Sequence, residues 1–265
     1  MNIKSTLRAR YRKENHRPSV LGIFINPYYI IRRGLYREIA AHRHALSGRL
    51  LDFGCGRKPY RTLFEVTEYI GLDIEASGHD HKDEEIDVYY DGRTIPFEDE
   101  AFDAVFSSEV LEHVFNLDEV LAEISRVTKL GGHLLISVPF VWNEHEVPYD
   151  FGRYTSFGIA HAVRKAGFDI VEARKTTTCV ETIFQMICAY VSQRLLPTNQ
   201  YANALLTPVF VAPITIVGLA LSALLPKDDT FFHNNVVLAR RRARRDGPGA
   251  PHTPVAAPVV STPLR

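Results

Sequence analysis

The chain carries no excess of charge: 31 lysines and arginines face 31 aspartates and glutamates over 265 residues. Without a net positive field there is no global attraction for nucleic acid, and no such partner is expected. Cysteine is almost missing. Cys55, Cys179 and Cys188 are an odd number without framework spacing, which excludes a disulfide scaffold and suits a reducing cytoplasm. A convincing secretory leader is absent too. Lys4, Arg8, Arg10, Arg12, Lys13 and Arg17 precede only a weakly apolar stretch, 19–31, interrupted by Pro27 and without a small-residue cleavage site. That basic run reads either as a solvated arm or as a contact for an anionic membrane surface. No internal repeat is visible.

What is present begins at Leu50-Leu51-Asp52-Phe53-Gly54-Cys55-Gly56. A short apolar run ending in Asp-x-Gly-x-Gly predicts a buried strand that breaks into a tight turn. The two glycines, lacking Cβ atoms, let the backbone approach a ligand closely. Asp73 ends a second apolar strand, Tyr69-Ile70-Gly71-Leu72-Asp73. In nucleotide-binding α/β sheets that is the place for a carboxylate that accepts from ribose hydroxyls. A dinucleotide fingerprint needs a third small residue and a close helix N-terminus for the pyrophosphate. Here Arg57-Lys58-Pro59-Tyr60 follows, and the helix is expected to start late, over 60–64. An adenosine-type cofactor is favoured over NAD. Cys55 reads as a small turn residue rather than a nucleophile, since no activating partner is evident.

The pattern continues as alternating strands and helices. Residues 104–107 are β-prone. Asn116 is a cap candidate, and Leu117, Val120, Leu121, Ile124, Val127 and Leu130 form one apolar stripe at helical spacing. Gly131-Gly132 is expected to end that helix. A strand over 133–138, a helix over 156–166 stopped by Gly167, and a strand from Phe168 follow. A helix over 34–46 precedes the first strand. Such alternation implies a mostly parallel sheet with ligands at the strands' carboxyl ends.

These motifs resemble the class I S-adenosylmethionine-dependent methyltransferases, the "type 11" group, over about residues 47–175. The resemblance rests on the glycine turn, on Gly71-Leu72-Asp73, on the stretch from Asp91-Gly92 to Val105, on Ser108-Glu109-Val110-Leu111-Glu112-His113, and on Leu130-Gly131-Gly132 through Pro139. It implies an α/β fold, a Rossmann-like doubly wound, mostly parallel seven-stranded sheet, with an apolar helical insertion before the last strand. It also implies S-adenosylmethionine as cofactor. Asp73 would hold the ribose, Asp91 would accept from the adenine amino group, and Gly54 and Gly56 would line the methionine end. Asp52, Gly92 and Ser108 complete the expected cofactor residues.

Methyl transfer from a sulfonium is an in-line displacement in which the protein positions the acceptor and removes a proton where needed. The segment after the strand ending at Val138 is the best acceptor-side candidate, crowded with aromatic and titratable groups. Type 11 relatives carry a similar stretch, here His145, Pro148, Asp150, Arg153, Tyr154 and Thr155. His145 reads as a general base or as a structural partner of Asp150. Arg153 reads as a bidentate anion binder or as the internal partner of Asp150 or Glu144. By the family pattern Glu109 and His113 face the cleft; Glu109 reads as a neighbour of the sulfonium or acceptor, and His113 more as a helix-packing residue than as a cleft group. No metal site is expected: His79-Asp80-His81 with Asp83, Glu84 and Glu85 has no second half and reads as a solvated loop.

From Leu195 to Pro226 no residue is charged, and 205–225 is long enough to span a bilayer. Residues 182–193 are also uncharged, and 197–200 read as a turn. The last strand, 231–239, is expected beside the sixth, so both ends of the insertion lie on one side and a single pass is excluded. The Arg240–Arg242 and Arg244-Arg245 cluster places that side in the cytoplasm. Pro208 and Pro213 favour broken or interfacial helices, with a lid or dimer interface as the alternative. The domain plan is therefore an arm and leading helix (1–46), a methyltransferase core (47–175), an apolar insertion (176–230) through which 182–225 meets the membrane, the last strand (231–239) and a disordered tail (240–265). The expected function is O-methylation of a small or lipid-linked acceptor, such as a glycolipid precursor or quinone-like molecule, at the inner face of the cell membrane. The competing readings are a degenerate membrane scaffold and an NAD-type oxidoreductase.

Overall fold

The computed structural model describes residues 11, 13–74 and 85–243. The His79–Asp80–His81 run with Asp83 and Glu84, the tail from Arg244, and Lys4, Arg8, Arg10 and Arg12 lie outside them. The chain divides into two compact units, residues 1–40 with 175–234, and residues 41–174 with 235–265. The division differs from the expected plan, because the leading segment groups with the insertion.

The first unit contains most of helix α1 (Tyr29–Ala41), which is longer at its start and shorter at its end than the expected 34–46. Gly34 sits in it because a Cβ there would lie 2.5 Å from the Thr176 carbonyl oxygen. Buried Gln185 ties the segment to the insertion, donating to the Pro27 carbonyl at 2.9 Å and accepting from the Ile31 amide at 3.2 Å. These buried bonds fix the leading helix on the insertion at positions no local periodicity could indicate.

The second unit is built on a seven-stranded sheet in the order β3-β2-β1-β4-β5-β7-β6. The strands are β1 (Arg49–Phe53), β2 (Glu68–Ile74), β3 (Val88–Tyr90), β4 (Phe102–Ser108), β5 (Thr128–Pro139), β6 (Phe168–Lys175) and β7 (Asn234–Arg241). The pairs β1–β2, β1–β4, β2–β3 and β4–β5 are parallel. β7 runs antiparallel beside β6: the Thr176 amide donates to Asn234 at one end and the Arg242 amide to Gly167 at the other. The α/β, Rossmann-like expectation holds, with the insertion entering after β6 and returning at β7. Strand order reverses between β1 and β4, which opens a crevice at their carboxyl ends. Helices α2 (Leu117–Val127) and α3 (Ser156–Lys165) cover the sheet, burying Val120, Leu121, Ile124, Val127, Ile159 and Val163 against Leu51, Phe102, Leu134 and Ile136.

Two expected elements come out differently. After the glycine turn there is only a 3-10 turn, Arg61–Leu63. Lys58 adopts φ 48° there, and Tyr60 and Phe64 are pinned on Phe106 at ring distances of 5.8 and 5.0 Å. An aromatic plug thus replaces the helix. Second, α2 stops at Val127, not at Gly131. Thr128 already pairs with Phe102, and the register slips between Phe102 and Ala104. Gly131 (φ 76°) and Gly132, whose Cβ would meet the Asp103 carbonyl at 2.7 Å, accommodate an irregularity in β5. Leu130 is accordingly half-exposed. Asn116 precedes α2 but makes no side-chain capping bond; its amide donates to Glu119 instead.

The insertion forms α4 (Cys179–Tyr190), α5 (Gln200–Phe210) and α6 (Ala212–Leu224). A reciprocal Thr178–Glu181 capping box starts α4. α6 packs on α4 where Gly218 admits Phe184, whose Cβ would be 2.5 Å from one added at the glycine. Among the described residues no single helix is long and apolar enough to cross a membrane; 202–210 and 212–224 form an apolar pair bent by 44°. The break falls between Pro208, inside α5, and Pro213, in the first turn of α6, as their missing amides dictate.

Candidate functional site

The crevice at the carboxyl ends of β1, β2 and β4 is lined by Phe53, Gly54, Gly56, Asp73, Ile74, Tyr90, Glu109, Val110, His113, Val114 and Glu146. At one end the glycine turn folds back on β2: the Gly54 and Cys55 amides donate to the Leu72 carbonyl at 2.8 and 3.1 Å. The Gly56 amide donates to Asp73 Oδ2 at 2.8 Å and the Ile74 amide to Oδ1 at 2.8 Å. Asp73 thus stands at the crevice wall with both carboxylate oxygens facing backbone amides. Tyr90, edge-on to Phe53 at 5.5 Å, and Ile74 supply flat apolar walls beside it.

Of the expected cofactor residues, Gly54, Gly56 and Asp73 border the crevice. Asp52 does not. It is 3% exposed and accepts from Tyr69 Oη at 2.5 Å. Burial, opposed by that hydrogen bond, pushes its carboxyl up to about 7. Ser108 is tied to Ser137 at 2.9 Å and also stands off the lining. Asp91 and Gly92 follow Tyr90, but Asp91 Oδ1 accepts from the Arg93 and Thr94 amides, each at 2.9 Å, forming a turn rather than a wall. Cys55 is buried, and burial together with the nearby Asp52 pushes its thiol up, away from reactivity.

The other end is acidic and imidazole-rich. Glu109 has φ 57° and Glu146 φ 53°, uncommon for non-glycine residues and a form of strain that clusters at functional sites. Glu109 Oε1 accepts from Ser137 Oγ at 2.8 Å. Glu112, at the first turn after β4, is fully buried, and neither carboxylate oxygen has a hydrogen-bond partner. Burial and then the Glu109 charge hold its carboxyl well above the usual range. The His113 and His145 rings meet edge to face at 4.7 Å. Burial and then the neighbouring His113 lower the His145 value, which favours the neutral ring with its lone pair. His113 lines the crevice, as the family pattern implies and unlike the helix-packing role preferred for it from the sequence.

Arg153 and Asp150 hold the loop. The guanidinium grips Asp150 with two bonds of 2.6 and 2.7 Å and reaches the Asn143 carbonyl at 2.9 Å. Burial raises Asp150, but Arg153, the His145 amide and the local positive charge outweigh it and bring it to about 2. The internal pairing with Asp150 is therefore the one realised. The Phe151 and Gly152 amides donate to the Glu112 carbonyl at 2.8 and 3.1 Å, which clamps the same loop over the β4 end.

Sequence reasoning missed Glu112. The signal was Glu109-x-x-Glu112-His113 at a strand's carboxyl end, but the burial of Glu112 depends on the loop that folds back from β5.

Comparison with known proteins agrees with this geometry. Residues 51–136 match a family model described as a methyltransferase domain. The chain is 34% identical over 112 residues to a phthiotriol/phenolphthiotriol dimycocerosates methyltransferase of Mycobacterium ulcerans, covering 38% of this chain and 41% of that protein. It is 34% identical over 155 residues to the mitochondrial ubiquinone biosynthesis O-methyltransferase of Bos taurus, covering 51% and 40%. The chain thus spans about two fifths of the length of these curated relatives. Among solved structures, the Haloferax volcanii protein in complex with the Trm112 methyltransferase activator superposes with a TM-score of 0.52 at 16% identity, over 92% of this chain and 97% of that one. That likeness concerns the fold alone. The matched segment runs from β1 into β5 and ends beside the crevice, so over residues 51–136 the chain is similar to the methyltransferase domain.

Proposed function

We propose that this protein transfers the methyl group of S-adenosylmethionine to an oxygen of a small or lipid-linked acceptor. The observation that carries the reading is Asp73 at the end of β2, held by the Gly56 amide across a crevice whose far end holds acidic and imidazole groups. The glycine turn admits the methionine part, Asp73 takes the ribose diol, and Ile74 and Tyr90 flank the base. The sulfonium then points toward Glu109 and His113. An oxygen acceptor suits this end, because neutral imidazole and carboxylate can hold a hydroxyl and favour its deprotonated form. Lipid-linked acceptors are supported by the curated relatives, whose names include phthiotriol dimycocerosates and ubiquinone biosynthesis.

S-adenosylmethionine and S-adenosylhomocysteine should each raise the melting temperature by mass action, and NAD should not. Asp73→Ala should remove the rise while leaving the fold intact. A rise with NAD alone would overturn the assignment.

The insertion supports a place at the cytoplasmic membrane surface. Its helices expose Ile183, Ile187, Tyr190, Leu205, Val209, Phe210, Ile216, Val217 and Leu224, and large apolar side chains left bare in such number mark an interaction surface. The bent α5–α6 pair suits a shallow or re-entrant position. The protein should co-sediment with phospholipid vesicles, and the triple variant Leu205→Asp, Val209→Asp, Phe210→Asp should remain in the supernatant. Equal sedimentation of the two would remove the membrane from this reading.

A further inference from the structure

Glu112, His113 and His145 offer one ligand atom each, all within 4.8 Å of one another. We infer that they form a binding site for a divalent first-row cation of the zinc or manganese kind, set at the acceptor end of the crevice. The inference rests on the methyltransferase reading for its role, but not for its existence.

Glu112 is the independent observation. A fully buried carboxylate with two unpartnered oxygens is costly to hold in an apolar interior unless something positive meets it. Its surroundings make the need greater. Glu146 Oε2 lies 3.6 Å from His113 Nε2, Glu109 is close by, and the nearest cation, Arg153, is spent on Asp150.

The imidazoles are prepared as ligands. His113 Nδ1 lies 2.7 Å from the Tyr149 carbonyl; it must donate there, which leaves the Nε2 lone pair free for a cation. Two acceptors stand beside His145 Nδ1, the Asn143 carbonyl at 3.2 Å and Asp150 Oδ2 at 3.3 Å, closer than the one donor there, Arg153 Nη2 at 3.4 Å; a proton on Nδ1 leaves Nε2 in the same state. Metal-binding histidines ordinarily carry such a partner on the second nitrogen. Ligand atoms about 2.1 Å from a tetrahedral cation sit roughly 3.4 Å apart. Glu112 Oε1 and His113 Nε2 are 3.8 Å apart, so small side-chain adjustments close the site. Two imidazoles and one carboxylate suit zinc, manganese, iron or cobalt better than magnesium or calcium, and three protein ligands leave positions open.

An open position beside the methyl donor is where an acceptor hydroxyl can bind. Coordination lowers the hydroxyl's affinity for its proton, which passes to water. The oxygen's electron pair then forms the O–CH₃ bond as the S–CH₃ bond breaks, and sulfur keeps that bonding pair as a neutral thioether. The His145 lone pair serves the cation in this arrangement and does not take the proton.

The test uses the full chain, freed of metal with a chelator, and Mn²⁺ as the ion. Titration calorimetry should give one ion per chain. Electron spin-echo spectroscopy should show two histidine nitrogens, one of which disappears in His113→Ala and the other in His145→Ala. Glu112→Gln should weaken binding by more than about 100-fold, beyond what loss of an orienting partner costs. Circular dichroism on the same samples reports folding of each variant, and the S-adenosylmethionine melting shift of the wild type reports cofactor binding. If Glu112→Gln fails to fold, His145→Gln carries the same comparison. A wild-type chain that shows the S-adenosylmethionine shift but binds no Mn²⁺ overturns the site and leaves Glu112 as a protonated carboxyl. Binding that is equal in all variants overturns it as well. Binding with the expected pattern and no S-adenosylmethionine shift would keep the cation site and discard the methyltransferase reading.

Discussion

Valine at position 54 is expected to abolish the rise in melting temperature that S-adenosylmethionine produces in the wild-type chain. At a ligand concentration about 100 times Kd that rise corresponds to about 2.7 kcal/mol, or roughly 5–10 °C for a domain of this size. Gly54 has φ 73°, and a Cβ on it would lie 2.3 and 2.5 Å from the two methyls of Val110. A β-branched residue is disfavoured at that φ to begin with. Val110 itself lines the crevice, so any relief of the clash drives it into the space the methionine part needs. The Gly54 amide must also keep its bond to Leu72, which prevents the turn from swinging outward. A scan of the variant with and without ligand checks this, with circular dichroism to show that the sheet survives. A folded Gly54→Val chain with an undiminished shift would place the cofactor elsewhere.

The sheet was legible because its strands carry their own local signatures. Leu50 to Phe53 is an apolar run closed by glycine, Gly71 to Asp73 repeats the pattern, and strands alternating with helices leave few topologies open. The helix ends were not legible in the same way. Gly131-Gly132 reads as a helix stop from its neighbours, yet the helix stops four residues earlier because Thr128 finds Phe102 on β4, a partner distant in sequence. The segment after the glycine turn fails to form a helix for a related reason: Tyr60 and Phe64 gain more by covering Phe106 than a short helix next to Pro59 could return. In the site, the Asp150–Arg153 pair lies within one loop and could be seen from spacing. The Glu112–His145 encounter joins the ends of two neighbouring strands, and only the sheet order brings it about. Asp52 illustrates the limit most directly. A carboxylate before a glycine turn suggests a ligand contact, but the Asp52–Gly71 register sets Tyr69 within reach and the crevice closes without it.

That burial has a measurable consequence, since stability should fall as pH rises from about 4 to about 7, and Asp52→Asn should remove that part of the fall. Unfolded, Asp52 titrates near 3.9, the ordinary aspartate value of about that size; folded, burial pushes it up to about 7, against the Tyr69 hydrogen bond and with Asp73 adding to the rise. Lys58 pulls the other way, while Asp87, to which Lys58 is bonded at 2.6 Å, adds to the rise. Between the two values the folded chain keeps a proton that the unfolded chain has released, so the free energy of unfolding declines with pH. The stabilisation is complete below the unfolded value and is lost as pH rises through the folded one. About three units of displacement correspond to at most roughly 4 kcal/mol. Urea unfolding of the wild type and Asp52→Asn at about pH 4.5, 6 and 8 isolates the effect, because titrations common to both chains cancel in the difference. The asparagine chain should gain on the wild type with each step upward. Tyr69→Phe should steepen the wild-type decline, since the phenol is the donor that favours the ionised carboxylate. Parallel profiles for wild type and Asp52→Asn would show that water reaches Asp52 and that its carboxylate is ionised throughout.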